Sequence, residues 1–138
     1  MAITSIYADG SSTGRADKPG GWGFVIVKND EVLCWSYGGD PKTTNNIQEV
    51  QGAINGLEAA LIMNLKDEYC ELVSDSQYAL KMASGEYSPS KNLELVKELR
   101  EKVALFSKLR YRWVKGHSKV RWNEVVDDLA KKGKEENT

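Results

Sequence analysis

Hydrophobic and polar positions along the chain follow first one period and then another. Residues 3–8 make a β-prone run that ends at Asp9 and Gly10, and residues 11–21 follow as a polar, glycine-containing loop. Two further β-rich runs, 22–28 and 32–37, are separated by Asn29, Asp30 and Glu31, so the first three strands form an antiparallel meander. Beyond Pro41 the period becomes helical. Ile47, Val50, Ile54, Leu57 and Leu61 share one face, which predicts a long helix over 45–64, and Asn46 with Glu49 three residues later has the form of a capping box.

Residues 71–74 read as a short buried strand, and 75–83 as a helix with Asp75 or Ser74 available as its N-cap. Residues 85–89 break the chain. Leu93, Val96, Leu99, Val103 and Phe106 form another helical stripe, 109–114 another strand and 124–132 a last helix. The order βββαβααβα describes an α/β fold. Parallel strands need a crossover and each helix must bury its apolar stripe, so the three antiparallel strands and the later ones join in a mixed sheet flanked by helices. No internal repeat interrupts this order, and only residues 133–138 have the composition of a frayed end.

Length and composition narrow the setting. The 138 residues suit a single domain, 1–138, with a real core. No run is long and apolar enough for a membrane span, and the first residues carry no export pattern, so a cytoplasmic protein is expected. Cys34 and Cys70 lie far apart without metal-ligand spacing, which fits reduced core or near-core positions. The net charge of −1 means that any grip on a polyanion must be local. Lys42, Lys91, Arg110, Arg112, Lys115, Lys119 and Arg121 are the candidates. They are scattered in sequence, and only the fold decides whether they gather on one face.

Four carboxylates stand where chemistry would want them. If the first and fourth strands pair in parallel, Asp9 and Asp75 leave the same sheet edge, a usual place for α/β ligand sites. Glu49 at the start of the long helix and Asp127 in the last helix could lean over that edge. Such a convergence calls for a divalent metal with a preference for oxygen ligands. Taken singly, each residue also has an ordinary use: Asp9 in a turn, Glu49 in a capping box, Asp75 as an N-cap, Asp127 as a solvated charge. Periodicity does not separate Asp127 from Asp128, because both flank the stripe of Val126, Leu129 and Ala130.

Five blocks, taken together, resemble the type 1 ribonuclease H family. They are Tyr7-Ala8-Asp9-Gly10-Ser11; Thr43-Thr44-Asn45-Asn46 leading to Glu49; Ser74-Asp75-Ser76-Gln77-Tyr78; Trp113-Val114-Lys115-Gly116-His117; and Asn123-Glu124 leading to Asp127-Asp128-Leu129-Ala130. The resemblance runs from the first strand to the last helix. It implies a ribonuclease H-like five-stranded mixed sheet and an endoribonuclease that hydrolyses the RNA strand of RNA/DNA hybrids, leaving 5′-phosphate and 3′-hydroxyl ends. It further implies Asp9, Glu49, Asp75 and Asp127 as ligands of two Mg2+ ions, with Mn2+ as a substitute and Asp9 bridging them, one ion activating water and the other stabilising the leaving oxygen. By the same resemblance His117 assists proton transfer or product release. Asn45, Asn46 and Gln77 would read the hybrid's minor groove, and Ser12, Lys42 and Thr44 would contact phosphate. Helix capping is an equally natural use of Asn45 and Asn46.

Departures from the family's longer members also have consequences. Residues 83–92 are too short for the basic, tryptophan-rich protrusion that helps to grip the hybrid, and the loop 12–19 lacks the family's Gly-Asn-Pro pattern. Weaker binding or reliance on a partner follows. Trp122 could stack on nucleic acid or pack against the last helix, and packing is the commoner use of an aromatic ring. Two other functions stay open: a ribonuclease H-like DNA nuclease and a non-catalytic hybrid-binding module. Retention of all the carboxylates speaks against the latter, since a pure binder gains little from negative charge near phosphates. A monomer is expected.

Overall fold

In the computed structural model, which describes residues 2–117 and 119–138, five strands and four helices follow the anticipated order. They are β1 (Thr4–Ser12), β2 (Lys18–Lys28), β3 (Glu31–Thr43), α1 (Asn45–Ile62), β4 (Tyr69–Ser74), α2 (Gln77–Ser84), α3 (Leu93–Val103), β5 (Lys108–Trp113) and α4 (Arg121–Glu135). The sheet order is β3-β2-β1-β4-β5, antiparallel among β1 to β3 and parallel for β1–β4 and β4–β5.

Helices lie on both faces, and this explains why β1 and β2 read as nearly continuous apolar runs. Ile6, Ala8, Phe24 and Ile26 face one side, where Val50, Ala53, Ile54, Leu57 and Ala60 of α1 pack with Val96 and Leu99 of α3. Tyr7, Val25 and Val27 face the other, against Val126 of α4, Val73 and Val114. Trp122 joins this second cluster as a packing residue, as expected of a large ring at a helix start. Cys70 is buried and Cys34 half-buried, and both are free thiols.

Four local expectations are corrected. First, β1 does not end at Asp9: it pairs with β2 as far as Ser12 opposite Gly20, and β3 runs on to Thr43. Gly20, Gly21, Gly38 and Gly39 carry no side chains to report a period, so backbone pairing alone defines these extensions. Second, α1 is capped by Thr44, whose hydroxyl accepts from Ile47 N at 3.2 Å, so Asn46 and Glu49 form no capping box. Third, α2 is capped by Ser76, which accepts from Ala79 N at 3.0 Å, in place of Asp75 or Ser74. Fourth, residues 133–138 are not frayed. Helix α4 continues to Glu135, Gly133 is buried, Tyr37 Oη donates to Glu136 at 2.7 Å, and Asn137 Nδ2 donates to Gly133 O at 2.8 Å.

Gly133 shows why the tail docks. A Cβ there would stand 2.0 Å from Gly38 O, so only a bare backbone lets α4 lie so close to β3. Replacing a helix glycine by alanine ordinarily gains about 1 kcal/mol. At this position we expect Gly133→Ala to lose about 2 kcal/mol through overpacking, read as a lower urea midpoint. A loosely held tail would give the opposite sign.

Candidate active site

Parallel pairing of β1 and β4 matches Tyr7 with Val73, and two residues beyond each partner stand Asp9 and Asp75. The register therefore delivers both carboxylates to one end of the sheet. Glu49 arrives from α1, whose first turns press on β1 so closely that a Cβ on Gly10 would meet Glu49 N at 2.4 Å. Side-chain oxygens of Asp9, Glu49 and Asp75 all lie within 4.8 Å of one another. None of the three is spent on the ordinary use its residue type would suggest. Asp9 is inside a strand, and Thr44 and Ser76 do the capping.

Electrostatics make this corner costly. Asp9 is 2% exposed and Glu49 6% exposed. Burial, then the charges of Glu49 and Asp75, pushes the Asp9 carboxyl up to about 10; burial, then Asp75, pushes Glu49 up to about 8. At an effective dielectric of 20, two unit charges 4.8 Å apart repel by about 3.5 kcal/mol, so three such pairs approach about 10 kcal/mol. That rivals the whole stability of an ordinary domain. The group must hold protons or a cation. An all-oxygen donor set suits a hard divalent ion, and the buried Glu49 Oε2 has no hydrogen-bond partner, as a ligand atom would require.

Asp127 sits at the margin of this group. Its side chain is 26% exposed, and Oδ2 accepts from Lys131 Nζ at 2.9 Å, one helical turn on. Its charge still acts on both Asp9 and Glu49, and Asp128 is exposed. Lys131 was missed as a neighbour of the site, although its i,i+4 spacing from Asp127 is plain in the sequence.

Comparison with known proteins agrees with this arrangement. Residues 2–135 match the RNase H family model. The chain belongs to the ribonuclease H family, and it is a hydrolase. It is 40% identical to a ribonuclease H of Pseudomonas fluorescens over 95% of this chain and 90% of that protein, and 39% identical to one of Legionella pneumophila over 95% and 96%. Among solved structures it resembles the N-terminal RNase H domain of a Mycobacterium tuberculosis protein, with a TM-score of 0.85 and 27% identity over 99% of this chain and 96% of that one. RNase H1 of Halobacterium salinarum superposes with a TM-score of 0.83 at 26% identity, covering 97% and 98%.

The remaining candidates are not members of the carboxylate cluster. Asn45 and Asn46 are exposed in the first turn of α1, Gln77 is exposed at the first residue of α2, and Lys42 is exposed at the end of β3. Thr44 is occupied as a cap through its oxygen, and the Ser12 hydroxyl accepts from Gly14 N at 3.0 Å, so both keep a proton to donate. His117 is exposed in a turn with φ of 57°. Its neighbour Gly116 lies against Asp75, where a Cβ would stand 3.2 Å from Oδ2. Gln48 was also missed. Fully buried, its amide donates to Asp40 Oδ2 at 2.9 Å and Thr43 Oγ1 at 3.0 Å, tying the end of β3 to α1.

Raised carboxyl pKa values have a definite sign in stability. The folded state holds protons that the unfolded chain has released, so in chelator the unfolding free energy should fall as pH rises from about 5 to about 9. Asp9→Asn should raise the metal-free stability at pH 8 by about 2 kcal/mol and flatten that slope. Denaturant titrations at several pH values, with and without divalent ion, measure both effects; an Asp9→Asn protein less stable than its parent would contradict the repulsive cluster.

Proposed function

We propose that this ribonuclease H hydrolyses the RNA strand of RNA/DNA hybrids to 5′-phosphate and 3′-hydroxyl ends. The carrying observation is the group of buried Asp9 and Glu49 with half-buried Asp75, whose carboxylate oxygens lie within 4.8 Å of one another. With Asp127 at its margin, the group would hold Mg2+, two ions when substrate is present, with Mn2+ as a substitute. The bound cations would supply charge to the scissile phosphate and lower the pKa of the attacking water.

The chain's own residues account for the selection of substrate. Exposed amides of Asn45 and Asn46, in the turn of α1 that leads to Glu49, and of Gln77, two residues after Asp75, offer both donor and acceptor to a 2′-hydroxyl, the group that distinguishes RNA from DNA. The Thr44 and Ser12 hydroxyl protons and the Lys42 ammonium are directed to phosphate oxygens, which position the strand without reading its sequence. An imidazole nitrogen of His117, on the turn beside Asp75, carries a proton to or from the product and eases its departure.

An end-labelled RNA/DNA hybrid, with RNA/RNA, DNA/DNA and single-stranded RNA as comparisons, tests this directly. Cleavage is expected of the hybrid alone, to cease in chelator and to fall to background in Asp75→Asn. His117→Ala should slow turnover about 100-fold while hybrid affinity is retained. Cleavage of DNA/DNA as fast as the hybrid, or hybrid binding without any cleavage, would overturn the reading.

A further inference from the structure

Lys108, Arg110 and Arg112 alternate along β5, an edge strand, and therefore project from one face of it. Contacts identify that face. Arg112 donates to Glu71 at 2.9 Å and to Tyr7 Oη at 3.0 Å, Arg110 lies 3.7 Å from Glu71, and the Lys108 ammonium sits 4.5 Å from the centre of the Tyr69 ring. Tyr7 belongs to the cluster packed under α4, so this is the α4 side of the sheet. Helix α4 packs across β1, β2 and β3, and the arginines themselves roof Glu71 on β4.

Charge on this face is unequal. Three cations accompany two carboxylates: Glu71, which is buried and already held by the Arg112 guanidinium, and Asp67 near Lys108, which is held by Lys66 and the Ser107 hydroxyl. Arg110 remains 65% exposed. A charged edge strand discourages sheet-to-sheet pairing. That role asks only for charge, and does not account for cations placed together beside an aromatic ring. A cavity of about 290 Å³ lies here, lined by Ile3, Tyr69, Cys70, Lys108 and Arg110, with the Tyr69 side chain 45% exposed.

We propose that this face binds an unpaired nucleic-acid strand, with phosphates along Lys108, Arg110 and Arg112 and a base against Tyr69. Cations repeating every second residue, about 6.6 Å apart, suit a sugar–phosphate backbone rather than one isolated anion. An aromatic ring accepts any base, since every base has a π face. The upper end of the row adjoins Tyr7, two residues before Asp9, so a strand lying on it continues from the carboxylate group. In a chain of net charge −1, such a local concentration of cations is what draws a polyanion to one face. The inference concerns binding of unpaired strand and stands apart from cleavage.

Fluorescence anisotropy of a short labelled oligothymidylate in chelator, across a salt titration, tests it without catalysis. The double variant Lys108→Gln/Arg110→Gln should bind about 10-fold more weakly at low salt, with a log–log salt slope shallower by about 1.4, or 0.7 for each lost phosphate contact. Arg112 is left in place because it holds Glu71. Tyr69→Phe should bind as the parent does, and Tyr69→Leu about fivefold more weakly, a contrast that charge alone does not produce. Unchanged affinity and slope in the double variant would overturn the proposal, as would an equal loss for a blunt-ended hybrid. Oligoglutamate of equal charge competing as well as oligothymidylate would overturn the choice of nucleic acid.

Discussion

Repulsion among three carboxylates at one sheet end, two of them buried, is the constraint around which the rest of this molecule is arranged. Asp9, Glu49 and Asp75 come from two strands and a helix, and bringing them within 4.8 Å of one another requires all three elements to be held rigidly. The rigidity comes from apolar packing on both sheet faces, from Ile6, Phe24 and Leu57 on one side and Val25, Val73 and Val126 on the other. Burial in a dry corner is also what makes the charges expensive, since the same low dielectric strengthens every unpaired interaction. A site built in this way is poised for a cation before the cation arrives.

The two helices that flank the site contribute differently. Helix α1 presses Glu49 into the group through a contact with β1 that leaves no room for a side chain at Gly10. Helix α4 offers Asp127 from the margin, where Lys131 shares its charge. One carboxylate is thus committed by packing and the other by an ion pair that solvent reaches. Farther out on the sheet the sign of the charge reverses. The acidic sheet end and the cations of β5 lie apart, so a net charge of −1 conceals two opposed local fields.

Much of this was legible in the amino-acid sequence, and the failures share one cause. The long α1 helix and the order βββαβααβα follow from hydrophobic period, which is a local signal. The extensions of β1 to Ser12 and of β3 to Thr43 did not show, because their glycines carry no period and the pairing that defines them lies on a distant strand. The caps were misassigned by one or two residues, as Thr44 and Ser76 compete with other cap-forming residues beside them. Lysine- and glutamate-rich composition made the last six residues look loose, whereas Gly133 and Glu136 find partners on β3.

By itself the sequence determined the order of elements and the family, and it offered candidates for a site: acids at Asp9, Glu49, Asp75 and Asp127, and amides at Asn45, Asn46 and Gln77. It left each acid with an ordinary alternative, because a turn, a cap and a ligand can use the same residue. Only the tertiary structure removed those alternatives for Asp9, Glu49 and Asp75, by placing Asp9 inside a strand and giving the caps to Thr44 and Ser76. It alone gathered Arg110 and Arg112 over Glu71. The reason is physical: period and propensity act over a few residues, whereas charge repulsion and burial depend on distances between segments that the chain brings together only when it folds.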